Sequence, residues 1–232
     1  QNGHGLLTFT QALAYSVIPG VLWLTYFYRK DRFEPEPKKL VAKVFIGGML
    51  MVVPAGALEL VGKEGLMVAR TSGNVLLIFI YSFFFIGVIE EGLKFLLLAL
   101  TVYPRKEMNE PVDGIVYGIT VGLGFAVIEN LFYTEALGFQ VGLWRAVIAC
   151  LAHAAFSGWG GYFLTAGLRR LSIFYRFLIA YGVATFWHGL YDFLLFLNNP
   201  IFSLGSFVLT GLLVYMLLKK MRELEAYSPF RS

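Results

Sequence analysis

The chain is 232 residues long, with 58% hydrophobic and only 15% charged residues. A soluble domain would have about 45–50% apolar and about 25% charged residues, so the composition excludes an ordinary soluble enzyme and predicts an integral membrane protein. The formal charge of +4 does not indicate nucleic-acid binding, because the basic residues lie between apolar segments. With a single cysteine, Cys150, the chain has neither an intrachain disulfide nor a cysteine-based zinc site.

Apolar segments long enough to cross a bilayer follow one another along the chain. A transmembrane helix needs about 20 predominantly apolar residues. We predict an all-α fold, a polytopic membrane helix bundle with about seven transmembrane helices, forming a single integral membrane domain over residues 1–232. The predicted spans are residues 6–28, 40–60, 74–102, 113–134, 143–167, 173–197 and 202–218. Short loops connect them, so no separate soluble domain is expected.

Lysine and arginine are distributed unevenly between the two ends of these spans. The first, third and fifth connections and the C-terminal tail, with the residues next to them, carry 15 of the 19. The even connections carry 3, and the last is Lys94, inside a span. The positive-inside rule therefore predicts an external N-terminus and a cytoplasmic C-terminus.

Polar residues interrupt four consecutive spans, which cover residues 74–197. An Asp, Lys or Arg at the centre of a span costs about 2.5–3.5 kcal/mol on insertion scales, so such residues are functional candidates. Span by span, they are Glu90, Glu91 and Lys94; Glu129 and Asn130; His153 and Ser157; and His188 and Asp192. Glu59, near the end of the second predicted span, is expected to face the membrane interface instead.

The spacing of these residues places several of them on common helix faces. Lys94 follows Glu90 by four residues and Glu91 by three, so one ammonium group can serve both carboxylates. Asp192 follows His188 by four residues. A carboxylate that accepts an imidazole N–H commonly orients a metal-binding or acid–base histidine, although Asp192 could instead be a direct ligand.

Peptide hydrolysis inside a membrane would use such a set of residues. A zinc ion held by histidine and carboxylate ligands, with one open position, lowers the pKa of bound water towards about 7. A nearby glutamate can then take the proton and return it to the leaving amine. The candidate ligands are His153, His188 and Glu129, and the candidate base is Glu90 or Glu91. The HExxH motif of common zinc proteases is absent.

Ser157 is a weak candidate for a serine nucleophile. It follows His153 by four residues and shares its helix face, but no convincing catalytic triad accompanies it. A hydrogen bond that orients the imidazole ring is the simpler interpretation. Ser157 and Asn130 are therefore assigned supporting roles.

Other interpretations of these residues stay open at this point. Glu90, Glu91 and Lys94 could form a buried ion-pair lock between helices, and Glu129 with Asn130 could form interhelical hydrogen bonds. A proton-coupled transporter could use the same residues as a relay, although the inverted halves common in secondary transporters are not visible. A non-catalytic membrane scaffold is the third alternative.

Four short motifs occur in order on successive spans. They are EExxK at residues 90–94, FxxxEN at residues 125–130, a single histidine at His153, and HxxxD at residues 188–192. In this order they resemble the PrsW family of bacterial intramembrane proteases, and the loop YRKDRFEPEPKK is similar to the segment after that family's first span. The wider superfamily looks like the CAAX prenyl proteases, with the motifs EExxxR, FxxxH and HxxxN. This chain differs in having Lys94 one residue earlier than the arginine and Glu129 in place of the histidine.

The resemblance implies an intramembrane endopeptidase, a metalloprotease of PrsW type in the bacterial plasma membrane. PrsW-type proteins are taken to make the first cut in a membrane-spanning anti-sigma factor, which implies a single-span membrane protein as the substrate and the lipid bilayer as the surroundings. Water activated by glutamate without a metal is the competing mechanism. The implied site comprises catalytic Glu90, Glu91, Lys94 and Asp192, with Glu129, His153 and His188 around a zinc ion.

Overall fold

The computed structural model describes residues 9–167 and 170–230, and within those residues the chain is all-helical with no β-strand. Seven helices follow one another within this described part of the chain. They are α1 (Phe9–Tyr28), α2 (Lys38–Ser72), α3 (Val75–Thr101), α4 (Asp113–Leu137), α5 (Phe139–Gly167), α6 (Ile173–Phe196) and α7 (Pro200–Glu225). The all-α prediction is confirmed. The first residues of the first predicted span lie outside the described residues.

Five of the seven helices are long and apolar enough to cross a membrane, judged by length and composition. They are α2, α3, α4, α5 and α7. The prediction of a multi-pass helical membrane protein is therefore supported. The finer count of about seven crossings, which would include α1 and α6, stays a prediction.

Helix α2 is longer than the second predicted span. The prediction ended this span at residue 60 and treated residues 61–73 as a connection, which was wrong: the helix continues to Ser72. Gly62 and Gly65 do not stop it, because a helical glycine costs only about 1 kcal/mol relative to alanine. The helix ends at Gly73, which adopts a left-handed φ of 64° that favours glycine. The extension makes the second half of α2 a wall of the central cavity described below.

Helix α4 forms the centre of the bundle, with 83% of its most apolar window buried. Its glycines allow α5 to pack against it backbone to backbone. A Cβ at Gly118 or Gly122 would collide with the backbone carbonyl of Ser157 or His153. Small residues at four-residue spacing permit such close helix contact. This packing fixes the position of His153 relative to α4.

Helix α3 contains a π-helical segment, Tyr81–Gly87, which is separated by two residues from its adjacent glutamates. Such wide turns are common at functional sites. The backbone of α3 approaches α6 closely here, since a Cβ at Gly189 would overlap Phe83. The close approach brings the α3 carboxylates next to the α6 histidine.

Candidate active site

Lys94 lies at the centre of the polar cluster that α3, α4, α5 and α6 form inside the bundle. Its ammonium Nζ donates to Glu91 Oε1 at 2.7 Å and to Glu90 Oε2 at 3.3 Å, and it lies 2.9 Å from Nδ1 of His153. The four side chains are buried. Since a buried charge is costly unless it is paired and hydrogen-bonded, this arrangement explains how the sequence tolerates two carboxylates and an ammonium in an apolar helix.

Glu91 is the most fully bonded carboxylate of the cluster. Its Oε1 accepts from Lys94 and lies 2.9 Å from Nδ1 of His188, and its Oε2 accepts from the hydroxyl of Ser157 at 2.9 Å. The hydroxyl of Ser157 thus bonds to a carboxylate rather than orienting His153 as expected. The other ring nitrogen of His188, Nε2, lies 3.5 Å from Asp192 Oδ2. Glu91 therefore holds the His188 ring in place.

His153 lies between a cation and a carboxylate. Its Nδ1 faces the ammonium of Lys94, which has only protons to donate, so this nitrogen offers its lone pair and the ring is neutral. Its Nε2 lies 2.9 Å from Glu129 Oε2, although the geometry of this contact is not that of an aligned hydrogen bond. The Phe125 ring stacks on the imidazole with centroids 5.8 Å apart. The unprotonated Nδ1 thus points towards the glutamates of α3.

Three side chains of this cluster could hold a metal ion. One donor atom from each of Glu90, His153 and His188 lies within 4.8 Å of the other two, and no other such group occurs within residues 9–167 and 170–230. Glu90 Oε2 is 3.9 Å from His153 Nδ1 and 3.8 Å from His188 Nε2. Two imidazoles and a carboxylate are a donor set of catalytic zinc sites, which keep one position open. The residues fit a divalent metal, although the ammonium of Lys94 would have to release Nδ1 of His153.

A cavity of about 460 Å³ borders this cluster between α2 and α3 on one side and α4, α5 and α6 on the other. Its polar lining includes Glu59, Glu90, Glu129, Arg145, His153 and Asp192. It shares Leu66, Arg70 and Phe196 with a second hollow of about 440 Å³ near the C-terminal end of α2. Two of the three candidate donors, Glu90 and His153, therefore border a space that is large enough for water and an extended peptide segment.

Comparison with known proteins identifies the family of this chain. A family model described as PrsW family intramembrane metalloprotease matches residues 36–219. The chain belongs to the PrsW family. Protease PrsW of Geobacillus kaustophilus is 32% identical over 219 residues, which cover 91% of each chain. Protease PrsW of Bacillus subtilis is 33% identical over 198 residues, covering 83% of this chain and 86% of the relative. No solved structure matches the chain.

The motifs that resemble the PrsW family thus lie together in space, with one exception. Asn130 does not reach the cluster: its Nδ2 is 3.5 Å from Ser16 Oγ of α1, and its buried Oδ1 has no hydrogen-bond partner among the described residues. Glu129, a predicted metal ligand, is not among the three grouped donors and contacts the opposite nitrogen of His153. Its ligand role stays a prediction, while the distances favour Glu90 in that place.

Three charged residues that line the cavity, Glu59, Arg70 and Arg145, are not among the residues predicted for the site. Glu59 was expected at the membrane interface, but it lines the cavity, and its buried Oε1 has no hydrogen-bond partner in the described part of the chain. Arg145 was counted only with the basic residues of a connection, because it lies near the start of the fifth predicted span, residues 143–167. Helix α5 begins at Phe139, so Arg145 lies inside it. The only sequence signal for a role of Arg145 was that it is the single basic residue counted with the connection between the fourth and fifth predicted spans.

Proposed function

We propose that this protein is an intramembrane protease that hydrolyses a peptide bond in a membrane-anchored, single-span protein substrate such as an anti-sigma factor. The observation that carries the proposal is the group of Glu90, His153 and His188 donors within 4.8 Å of one another, buried between apolar helices of a chain in the PrsW family. The protein would lie in the bacterial plasma membrane with all seven helices crossing it. The distribution of basic residues supports an external N-terminus and a cytoplasmic C-terminus.

We further propose that Glu90 Oε2, His153 Nδ1 and His188 Nε2 hold a zinc ion. When bound, zinc supplies an activated water and stabilises the oxyanion of the tetrahedral intermediate. Each histidine has a carboxylate on its other nitrogen, at 2.9 Å in both cases: Glu129 for His153 and Glu91 for His188. Such carboxylates fix the ring orientation and the tautomer. Compared with the sequence-based assignment, Glu90 becomes a ligand and Glu129 an orienting group.

Asp192 is the best placed residue for proton transfer in this arrangement. Its carboxylate lines the cavity and lies 3.5 Å from His188 Nε2, on the side of the ring that faces the proposed metal. Glu91, the alternative, already accepts from Lys94, His188 and Ser157 and has little capacity left for a substrate proton. We therefore assign Glu91 the role of orienting His188, and Lys94 the role of balancing the negative charge of the two glutamates.

A metal-free form of the same reaction is favoured by one contact. The ammonium of Lys94 lies 2.9 Å from the Nδ1 that would bind zinc and 3.3 Å from Glu90. If this ammonium stays in place, Glu90, which borders the cavity, would accept the proton of the attacking water directly. Proteolysis is common to both mechanisms, and only the metal distinguishes them.

The test is cleavage of a single-span test substrate by the detergent-purified protein, with metal analysis of each variant. The zinc mechanism predicts that Glu90→Gln loses both cleavage and bound zinc, and that chelation abolishes cleavage until zinc is returned. The metal-free mechanism predicts that Glu90→Gln loses cleavage. It also predicts that a chelator has no effect on cleavage by a preparation shown to contain no metal. Glu64→Gln, an exposed residue of α2, is the matched control. Full cleavage by Glu90→Gln would contradict both mechanisms.

A further inference from the structure

Arg145 is a half-buried basic residue that reaches the cavity from α5, about two turns before His153. Its Nη2 lies 2.8 Å from Glu129 Oε1, and its guanidinium carbon lies 3.6 Å from the centre of the Tyr133 ring. Tyr133 follows Glu129 by one helical turn on α4. The guanidinium is therefore held between an aromatic face and a carboxylate, with 18% of the arginine side chain exposed.

The two oxygens of Glu129 contact different groups. Oε1 faces Arg145, whereas Oε2 faces Nε2 of His153. A carboxylate attached through two methylene groups can rotate, and a contact with one oxygen fixes the direction of the other. The planar guanidinium suits this task because its donors have a fixed geometry and its face stacks on the tyrosine.

The orientation of the His153 ring has a consequence at the opposite nitrogen. With Nε2 held towards Glu129, Nδ1 points to Lys94 and Glu90, where the proposed metal would lie. In the described part of the chain, the basic groups within ion-pair distance of Glu129 are Arg145 and His153 itself. Loss of Arg145 would leave the half-buried Glu129 carboxylate with only a neutral imidazole as its partner, so its position would no longer be fixed.

We propose that Arg145 is a positioning residue, which fixes Glu129 so that the unprotonated Nδ1 of His153 faces the centre of the site. The proposal rests on the proposed function for its catalytic meaning. Its structural content, the orientation and tautomer of His153, can be measured whether or not the protein cleaves a given substrate.

The experiment is a double-mutant cycle on the full-length protein with Arg145→Gln, Glu129→Gln and the combination. The first readout is the pair of ¹⁵N chemical shifts of the His153 ring in zinc-free protein, which report the tautomer. The second is zinc affinity, measured by competition with a chromogenic chelator, and the third is kcat and KM for a single-span test substrate. Arg145→Lys is included in case the glutamine variant does not fold.

If Arg145 acts through Glu129, Arg145→Gln shifts the His153 ring signals and lowers zinc affinity or kcat about 10- to 100-fold, with little change in KM. The double variant is then no worse than Glu129→Gln alone, because the two residues act in series. Arg145→Lys keeps the charge but not the planar fork, so it should retain part of the activity and zinc affinity.

Arg176→Gln is the matched control, because Arg176 is also half-buried but hydrogen-bonds to Leu164 O and the hydroxyl of Tyr103, away from the cavity. It should lower thermal stability and leave the His153 signals and zinc affinity unchanged. The proposal is overturned if Arg145→Gln behaves in the same way, or if its effects add fully to those of Glu129→Gln. Absence of cleavage by the unmodified protein would refute the proposed function, and absence of zinc binding would refute only its zinc form. In either case the ring signals would still decide the role of Arg145.

Discussion

Lys94 is the cation on which both adjacent glutamates of α3 depend, and Lys94→Met removes its charge while keeping most of its apolar stem. The ammonium lies 2.7 Å from Glu91 and 3.3 Å from Glu90. Unit charges at these separations attract by about 5–6 kcal/mol at an effective dielectric constant of about 20. Desolvation of the ammonium offsets part of this, and removing one partner of a buried pair typically costs about 3–5 kcal/mol.

Thermal unfolding of the detergent-solubilised protein measures this cost. For a chain of this size about 1 kcal/mol corresponds to about 2–4 °C, so Lys94→Met should lower Tm by about 6–20 °C. Adding Glu91→Gln to this variant should restore part of the loss, because it removes one unpaired carboxylate. Lys220→Met, which breaks an exposed pair with Glu223 on α7, should leave Tm nearly unchanged. Equal small shifts for the two lysine variants would refute the idea that Lys94 compensates buried charge.

Three further predictions concern other parts of the molecule. Burial raises the pKa of Glu36, in the loop before α2, to about 9, so the folded state keeps a proton that the unfolded state releases near pH 4.5. Stability should therefore fall as pH rises from about 4.5 to about 9, and Glu36→Gln should weaken this fall, as measured by Tm at pH 5 and pH 8.5. Gly122→Ala would push its methyl group into the backbone of α5 and should lower stability by about 1–3 kcal/mol in chemical unfolding, whereas Gly211→Ala meets no neighbour and should not destabilise. Asn130→Ala should leave the cleavage rate close to that of the unmodified protein in the test-substrate assay, since this side chain contacts Ser16 rather than the cluster, and a loss as large as that of Glu90→Gln would contradict the structure.

The sequence was sufficient to single out the polar residues that form the central cluster, because ionisable groups in apolar helices are rare and costly. Glu90, Glu91, Lys94, His153 and His188 were all recognisable in this way, and the structure brings them into contact. Spacing along a helix gives the face on which a residue lies. It does not give the direction in which each imidazole nitrogen points, because this depends on the side-chain rotamer and on the rotation of the packed helices.

That limit explains the ambiguity over Glu90 and Glu129. Both are glutamates on helices that pack near His153. Only the structure shows that Glu90 faces its Nδ1, as a candidate ligand would, whereas Glu129 faces its Nε2, as an orienting group would. Glu59 and Arg145 were misjudged for a different reason. Both lie close to predicted helix ends, where errors of a few residues or an unrecognised extension move a side chain from the interface into the cavity.

The ammonium at the centre of the site also bears on how the protein matures. Small zinc domains are often unfolded until the ion binds, because their ligands have nothing else to hold them together. Here Lys94 already supplies a positive charge to the two glutamates and a donor to His153, so the bundle carries its own counter-ion. We expect assembly of the helices to proceed without metal. An ion could then be loaded or withdrawn as a separate step by exchange with this ammonium, leaving the fold intact.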